Sequence, residues 1–490
     1  MERVKPAAGV FNSSLFLVIG LVVLFGVTAA ALAAAAHIVL WPYPIEHFEG
    51  GCIVAAEQWA AGGPLYGDPA AGQTPIYNYP PLYPLLLRWF AGGVRPFLPG
   101  RLISLLALAG AAVAAGFAAR RATGATTWGL AATGFFFTLP EIDLYAVVVR
   151  ADSLAVFFSA AALFVGWRFS SRLGGLAAAA GLGVAGWFVK QTAILGPAAL
   201  TLWLLTSDRR RAAQFIALYG GLMLATLGLS ECASHRMFLK TMLVYPGTGF
   251  TWLRMKYFVE WHLLSHSPSH VPAWAGLLAA FIGFGRGGWR ASPTPWYLAL
   301  NLAALALLGK EGSSRFYFIE FSVACAIGVG VALATIERGL GRWAAVAALG
   351  VVAALAALAA PRLLHDVFAG RYERVEAQRV ALLRHAGDGP LLLENVGYAL
   401  LAGRRDLDLV NPFLLKRLFA RGVLPLAPYL EKVRQRRYAA IALDSPAARP
   451  SLITADRYPA ALLAEIARYY PPPANVGGMF FYLPPPAEAP

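Results

Sequence analysis

Eleven apolar runs constrain this chain more than anything else in it; they lie near 14–36, 102–119, 126–140, 152–167, 174–189, 191–206, 212–231, 272–285, 294–309, 318–336 and 343–360. A helix rises about 1.5 Å per residue and the hydrocarbon layer is about 30 Å thick. Runs of this length therefore read as bilayer-crossing helices, the shorter ones tilted or partly re-entrant. Composition agrees: 58% of residues are apolar and only 14% charged, with a mean hydropathy of +0.58. Soluble domains sit near 45–50% and 25%. A soluble enzyme with one core, a disordered chain and a disulfide-stapled module are excluded. The first run follows Arg3 and Lys5 as a signal peptide would. At about 23 residues it exceeds the 7–15 of a signal core, and it reads as a retained anchor.

The charges between the runs set an orientation. With the N-terminus placed in the cytoplasm, the inner segments carry Arg3, Lys5, Arg120, Arg121, Arg168, Arg172, Arg209, Arg210, Arg211, Arg286, Arg290, Arg338 and Arg342, against three acids, Glu2, Asp208 and Glu337. Basic residues favour the cytoplasmic side, so the N-terminus is expected inside, and an odd number of spans places the C-terminus outside. The net charge of +15 is spread between apolar runs rather than along one face, so no nucleic-acid partner is expected.

Residues 362–490 hold 17 basic and 12 acidic side chains in 129 positions, a soluble density. The chain thus divides into a membrane domain, 1–361, and a water-exposed domain, 362–490. In the latter, RYERVEAQRVALLRHA is an amphipathic helix, PLLLEN a strand, and LAPYLEKVRQRRYAAIALD a helix running into a strand, giving a small α/β unit. Cys52, Cys232 and Cys325 make no disulfide framework. Cys52 and Cys232 share the outer side, but free structural thiols are the simpler reading.

The long first outer loop, 37–100, concentrates polar residues beside hydrocarbon. Glu46, His47, Glu49 and Glu57 follow the first span; Gly51–Ala61 reads as a short surface helix, and PPLYPLLLRWF starts another. Ionisable groups at such depth are costly and mark sites. Glu49 suits a proton acceptor, although an acid at a helix N-terminus is stabilised by the helix dipole alone. Glu46 is a second candidate, and Glu57, on the other side of its helix, is structural. Lys190, between GLGVAGWFV and QTAILGPAAL, suits a phosphate as a point charge or snorkels as an anchor. Arg150 and Asp152 form either a boundary ion pair or part of a phosphate site, and Arg101 begins a span in the same way. Arg315 and Lys310 lie in GKEGSSRFYFIEF, while Glu320 falls inside a span and needs a partner. In HLLSHSPSH, His262 and His266 have metal-pair spacing, but Pro268 breaks the helix before His270 and only Glu260 lies near. A solvated loop over the site is the better reading. No metal or other cofactor is assigned, although a divalent ion is compatible with the chemistry.

An acid-bearing segment, a surface helix, GGPLY, YPPLYPLLL and GRLISLL, followed by VRADS at 149–153, VKQT at 189–192, GSSRFYFIE at 312–320 and a final GMFFYLP strand, resembles the GT-C glycosyltransferases. The narrower likeness is to the bacterial branch near protein O-mannosyltransferases and aminoarabinose transferases. The resemblance implies transfer of a monosaccharide from a polyprenyl-phosphate carrier, with inversion, to a lipid, glycan or protein acceptor on the outer face of a bacterial inner membrane. It implies an acidic base in the first outer loop, commonly within an Asp-Glu pair. Counting back from Gly62-Gly63 places that pair on Phe48 and Glu49, so only the second acid is kept and Glu46 is the stand-in for the first. By this resemblance Glu49 and Glu46 are catalytic; Lys190, Arg150, Arg315 and Arg101 contact the donor phosphate; Asp152 and Tyr79 support them. Two other classes fit the residues: a lipid-linked-sugar flippase, which would show broken inverted repeats, and a non-catalytic envelope scaffold.

Overall fold

The computed structural model describes residues 13–139, 142, 144–247, 249–260, 271–285, 289–313, 315–368 and 373–485. Each apolar run is a helix. In chain order these are α1 (Ser13–Leu40), α4 (Leu98–Thr123), α5 (Thr126–Phe136), α6 (Ala151–Arg168), α7 (Leu173–Val189), α8 (Leu195–Ser207), α9 (Arg209–Ala233), α11 (Val271–Gly285), α12 (Thr294–Ala304), α13 (Tyr317–Leu340) and α14 (Arg342–Phe368). Between them lie α2 (His47–Ala60), α3 (Leu82–Arg88) and α10 (Trp252–Val259). Among the described residues, six helices are long and apolar enough to cross a membrane: α1, α4, α6, α9, α13 and α14 up to Pro361. The 11 residues of α5 reach only about 16 Å, so it enters the bundle without crossing alone. α2 begins four residues earlier than the sequence suggests, which puts Glu49 inside its first turn. The expected boundary after residue 361 falls within α14.

α13 is the centre of the bundle, with every residue from Phe318 to Ala334 buried. Small residues permit this. A Cβ on Gly328 would lie 2.4 Å from the Ala280 Cβ, so α11 and α13 touch backbone to backbone. α9 is the opposite case: among its residues only Ala212 and Phe215 are buried, as expected of a helix facing lipid. Helix direction sorts the charges. Arg120, Arg121, Arg168, Arg172, Arg209, Arg210, Arg211, Arg338 and Arg342 all fall at one end of the bundle. Arg101, Arg150, Lys190 and the start of α13 fall at the other. Of the inner basic residues expected from sequence, Arg3, Lys5 and Arg286 lie outside the described residues.

The C-terminal unit follows at the second end. Its helices are α15 (Glu373–Arg384), α16 (Gly397–Ala402), α17 (Pro412–Ala420), α18 (Ala427–Arg434), α19 (Leu452–Arg457) and α20 (Ala460–Tyr469). They pack on strands β1 (Leu391–Leu393), β2 (Leu407–Asp408), β3 (Ala440–Leu443), β4 (Ala474–Val476) and β5 (Met479–Tyr482), in the order β2-β1-β3-β5-β4. β1 runs parallel to β2 and β3, and β5 antiparallel to β3 and β4. The LLL and AIAL strands are buried throughout, as unbroken apolar runs in a covered sheet should be. The unit docks on α2 at Gly50. A Cβ there would stand 2.3 Å from the Gly397 nitrogen, so no other residue permits this approach without a shift.

Candidate functional site

Two charge clusters lie at the end of the bundle that carries the C-terminal unit. The first is closed. Arg101, in the first turn of α4, donates Nε to Glu49 Oε1 at 2.8 Å and Nη2 to Glu49 Oε2 at 2.9 Å. Its remaining donors go to the carbonyls of Ile38 at 3.1 Å, Trp41 at 2.5 Å and Tyr43 at 2.8 Å. That accounts for all five N–H groups of a guanidinium. Glu49 also accepts from the backbone N–H of Val149 at 2.9 Å, Ile45 at 2.7 Å and Glu46 at 3.3 Å. Both side chains are 0% exposed. The pair ties the end of α1, the start of α2, the start of α4 and the entry to α6 together.

This geometry bears on the roles expected of both residues. Arg101 has no donor left for a carrier phosphate, and Glu49 has no lone pair or surface facing a substrate. Burying a charge without such partners is costly, and here the carbonyls and amides complete the pair. The alternative of an acid at the N-terminus of α2 accounts for part of the Glu49 environment. It is the N3 residue of a capping box in which Glu46 is the N-cap.

The second cluster is also buried but not fully sealed, with Glu46, Arg150, Asp152 and Lys190 side chains 6–11% exposed. Glu46 Oε2 accepts from the Phe48 N–H at 2.9 Å and faces Arg150 Nη1 at 3.3 Å, while Oε1 meets His47 Nδ1 at 2.6 Å. Arg150, the N-cap of α6, donates Nε to Asp152 at 3.0 Å and lies over the rings of Phe316 at 4.0 Å and Phe48 at 5.1 Å. Lys190, the C-cap of α7, pairs with the other Asp152 oxygen. Its ammonium is 5.4 Å from the ring centres of both Tyr79 and Tyr317. The sequence places these residues well: Arg150 and Asp152 open α6 just as Lys190 closes the neighbouring α7, so both helix ends present charge at one depth. Burial tends to raise the Glu46 carboxyl, but His47 and then Arg150, with Arg457 behind them, outweigh it and hold it well below the usual carboxylate range. Burial pushes the Tyr79 phenol up, so it stays a neutral donor.

Arg315 is half-buried immediately before Phe316, on the wall against which Arg150 stacks. Glu320 lies deeper, where the Ser159 hydroxyl donates to it at 2.5 Å and the Tyr297 hydroxyl at 3.2 Å. Those are the partners its sequence position demands. Glu57 pairs with Arg405 of the C-terminal unit at 2.8 Å, consistent with a structural role. Cys52 is buried and Cys232 exposed, and neither forms a disulfide. His262, His266 and His270 lie outside the described residues. Among the described residues no three His, Cys, Asp or Glu side chains gather as a metal site.

Sequence reasoning missed the contribution of the C-terminal unit. Arg457, at the end of α19, donates to Glu394 at 2.5 Å, to Asp444 at 3.2 Å and approaches His47 Nδ1 at 2.8 Å. Glu394 follows β1 and Asp444 follows β3, so both carboxylates sit at the carboxyl ends of adjacent parallel strands. No spacing links His47 to a residue 410 positions later. A cavity of about 400 Å³, lined by residues including Arg121, Trp167, Phe284 and Arg338, lies at the opposite end of the bundle, and no candidate residue borders it.

No family model and no curated relative matches this sequence. Solved structures do. ArnT from Cupriavidus metallidurans bound to undecaprenyl phosphate superposes with a TM-score of 0.57 at 14% identity, over 97% of this chain and 98% of that one. The oligosaccharyltransferase AglB from Archaeoglobus fulgidus, in complex with an inhibitory peptide and a dolichol-phosphate, gives 0.53 at 12% identity, over 95% of this chain and 75% of that one. The matches run through the bundle and the C-terminal unit together, and this protein shares the GT-C fold of those two structures.

Proposed function

We propose that this protein moves a monosaccharide from a polyprenyl-phosphate carrier to an acceptor hydroxyl at the outer face of a bacterial inner membrane. The observation that carries the reading is the buried, charge-rich cluster of Glu46, Arg150, Asp152 and Lys190, gathered at one end of a membrane bundle. The two structures similar in fold, one bound to undecaprenyl phosphate and one in complex with a dolichol-phosphate, support the carrier class. The acceptor, whether lipid, glycan or protein, is left at that breadth, and no resident cofactor is assigned.

In this reading Lys190 and Arg150 meet the carrier phosphate, Arg315 adds a contact from the start of α13, and Asp152 holds the two cations at the right separation. Tyr79 flanks the ammonium. The acceptor hydroxyl gives its proton to a carboxylate as its oxygen bonds the sugar carbon, and the bond from that carbon to the phosphate oxygen breaks. Glu46 takes the proton, because it is the first-loop carboxylate that faces the Arg150 guanidinium. Glu49 holds the loop in place through Arg101. A flippase would need a polar path through the bundle midplane, whereas this charge gathers at one boundary.

The test is binding of undecaprenyl phosphate to the purified protein in detergent. Wild type should bind it, and Lys190→Gln should bind at least about tenfold more weakly, as loss of one charged contact implies. Equal binding by both would remove Lys190 from the phosphate site.

A further inference from the structure

His47 Nδ1 is in two contacts that no single protonation state satisfies. It lies 2.6 Å from Glu46 Oε1 and 2.8 Å from Arg457 Nη2. Against a carboxylate oxygen the nitrogen must carry a proton. Against a guanidinium, which only donates, it must offer a lone pair. One ring nitrogen has one or the other, so His47 can serve the membrane bundle or the C-terminal unit, not both at once.

The surroundings make that choice consequential. His47 opens α2, the helix on which the C-terminal unit docks at Gly50. The charged groups facing it are Glu46 from its own segment, Arg150 from the start of α6, and Arg457 from α19, with Glu394 and Asp444 behind Arg457 at the ends of β1 and β3. The His47 side chain is 32% exposed, so solvent can deliver or remove its proton. Glu394 and Asp444 keep Arg457 in place when His47 lets go, which makes the contact a local latch rather than a keystone.

We propose that His47 is a positioning residue that couples the proton state of Glu46 to the docking of the C-terminal unit. With Nδ1 unprotonated, His47 accepts from Arg457, the unit is latched over the cluster, and Glu46 Oε1 is free to receive a proton. When the acceptor hydroxyl transfers its proton to Glu46, the proton passes across the 2.6 Å contact to Nδ1. Glu46 returns to carboxylate, the imidazolium has no lone pair for Arg457, and the latch opens. Loss of the imidazolium proton to water resets it. The catalytic half of this cycle rests on the transferase reading above; the latch itself does not.

The experiment is hydrogen exchange on the full-length protein in detergent at about pH 5 and about pH 8, the interval over which histidine changes charge, with intrinsic rates corrected. In wild type, protection over α2 and α16, which form the docking contact, should fall about tenfold or more at the lower pH, as loss of a hydrogen bond to a charged group implies. In His47→Asn, whose side-chain oxygen can accept in place of Nδ1 but takes no proton, protection should be retained at both values. Arg457→Gln should show the weaker protection at both. A wild type without pH response, or a His47→Asn that responds as wild type does, overturns the latch. If the latch responds as expected but no polyprenyl-phosphate sugar is ever used, the transferase reading falls and the latch stands. Transfer without any pH response in protection has the reverse meaning.

Discussion

Glu46 and Glu49 lie three residues apart in one capping box, yet their surroundings assign them opposite work. Glu49 is sealed: two Arg101 donors and three backbone amides point inward at a carboxylate with no exposure, the other Arg101 donors go to carbonyls, and the pair staples four segments. Glu46 is held by fewer contacts, beside cations that also face the aromatic rings of Tyr79, Phe316 and Tyr317. Saturation suits a group that must stay put, whereas incomplete coverage is what a reacting group needs. The family likeness pointed at the fixed acid by counting from Gly62-Gly63; the surroundings of each carboxylate point at the other.

The comparison breaks first at Arg101. Arg101→Met leaves the Glu49 charge buried and uncompensated, which costs about 3–5 kcal/mol. Thermal unfolding in detergent should show a fall of several degrees or a protein that does not accumulate. A variant melting like wild type would mean that the sealed pair is not a structural staple.

A smaller effect is expected where the C-terminal unit meets the loop. Gly50→Ala puts a methyl group 2.3 Å from the Gly397 nitrogen, and overpacking of this kind costs about 1–3 kcal/mol. Limited proteolysis should cut the C-terminal unit sooner, while the transmembrane bundle resists as before. Equal resistance of both parts would show that docking does not depend on this contact.

The mildest effect concerns Glu394. Burial and then the Asp444 carboxylate raise it above the usual range, in spite of Arg457. Its folded form therefore keeps a proton that the unfolded chain gives up near the usual value, about 4.3. The stabilising contribution is complete below that value and is lost as pH rises through the folded pKa. Hydrogen-exchange protection of β1 and β3 should decline across this interval, and Glu394→Gln should flatten the slope. A protection that rises with pH would reverse the assignment.

Much of this architecture is legible in the sequence, because a bilayer leaves the backbone few choices. Apolar runs separated by arginines must be helices, and their order sorts the charges between the two ends. The α/β tail is legible for a similar reason, since LLL and AIAL can only be covered strands. Even the capping box is local, since Glu46 and Glu49 have the N-cap and N3 spacing of one motif. The pairings are a different matter. Arg101 meets Glu49 across 52 positions, Lys190 meets Asp152 across 38, and Arg457 meets His47 across 410. Those contacts are made by packing, and no periodicity records them. Lys190 and Arg150 were visible as charges where hydrocarbon should be, but a neighbour's saturation, which separates Arg101 from them, becomes visible only in three dimensions.

The division of labour between the two carboxylates is tested most directly by measuring thermal unfolding and sugar transfer on the same preparations of Glu46→Gln and Glu49→Gln, with a panel of polyprenyl-phosphate monosaccharides as donors. Glu46→Gln should melt close to wild type and lose transfer by about 10²–10⁴-fold, the range for a removed general base. Glu49→Gln should lose stability first, and transfer only as far as folded protein is lost. A Glu49→Gln protein that melts like wild type and transfers nothing, beside a Glu46→Gln protein that transfers normally, would contradict the account and return the base to the sealed acid.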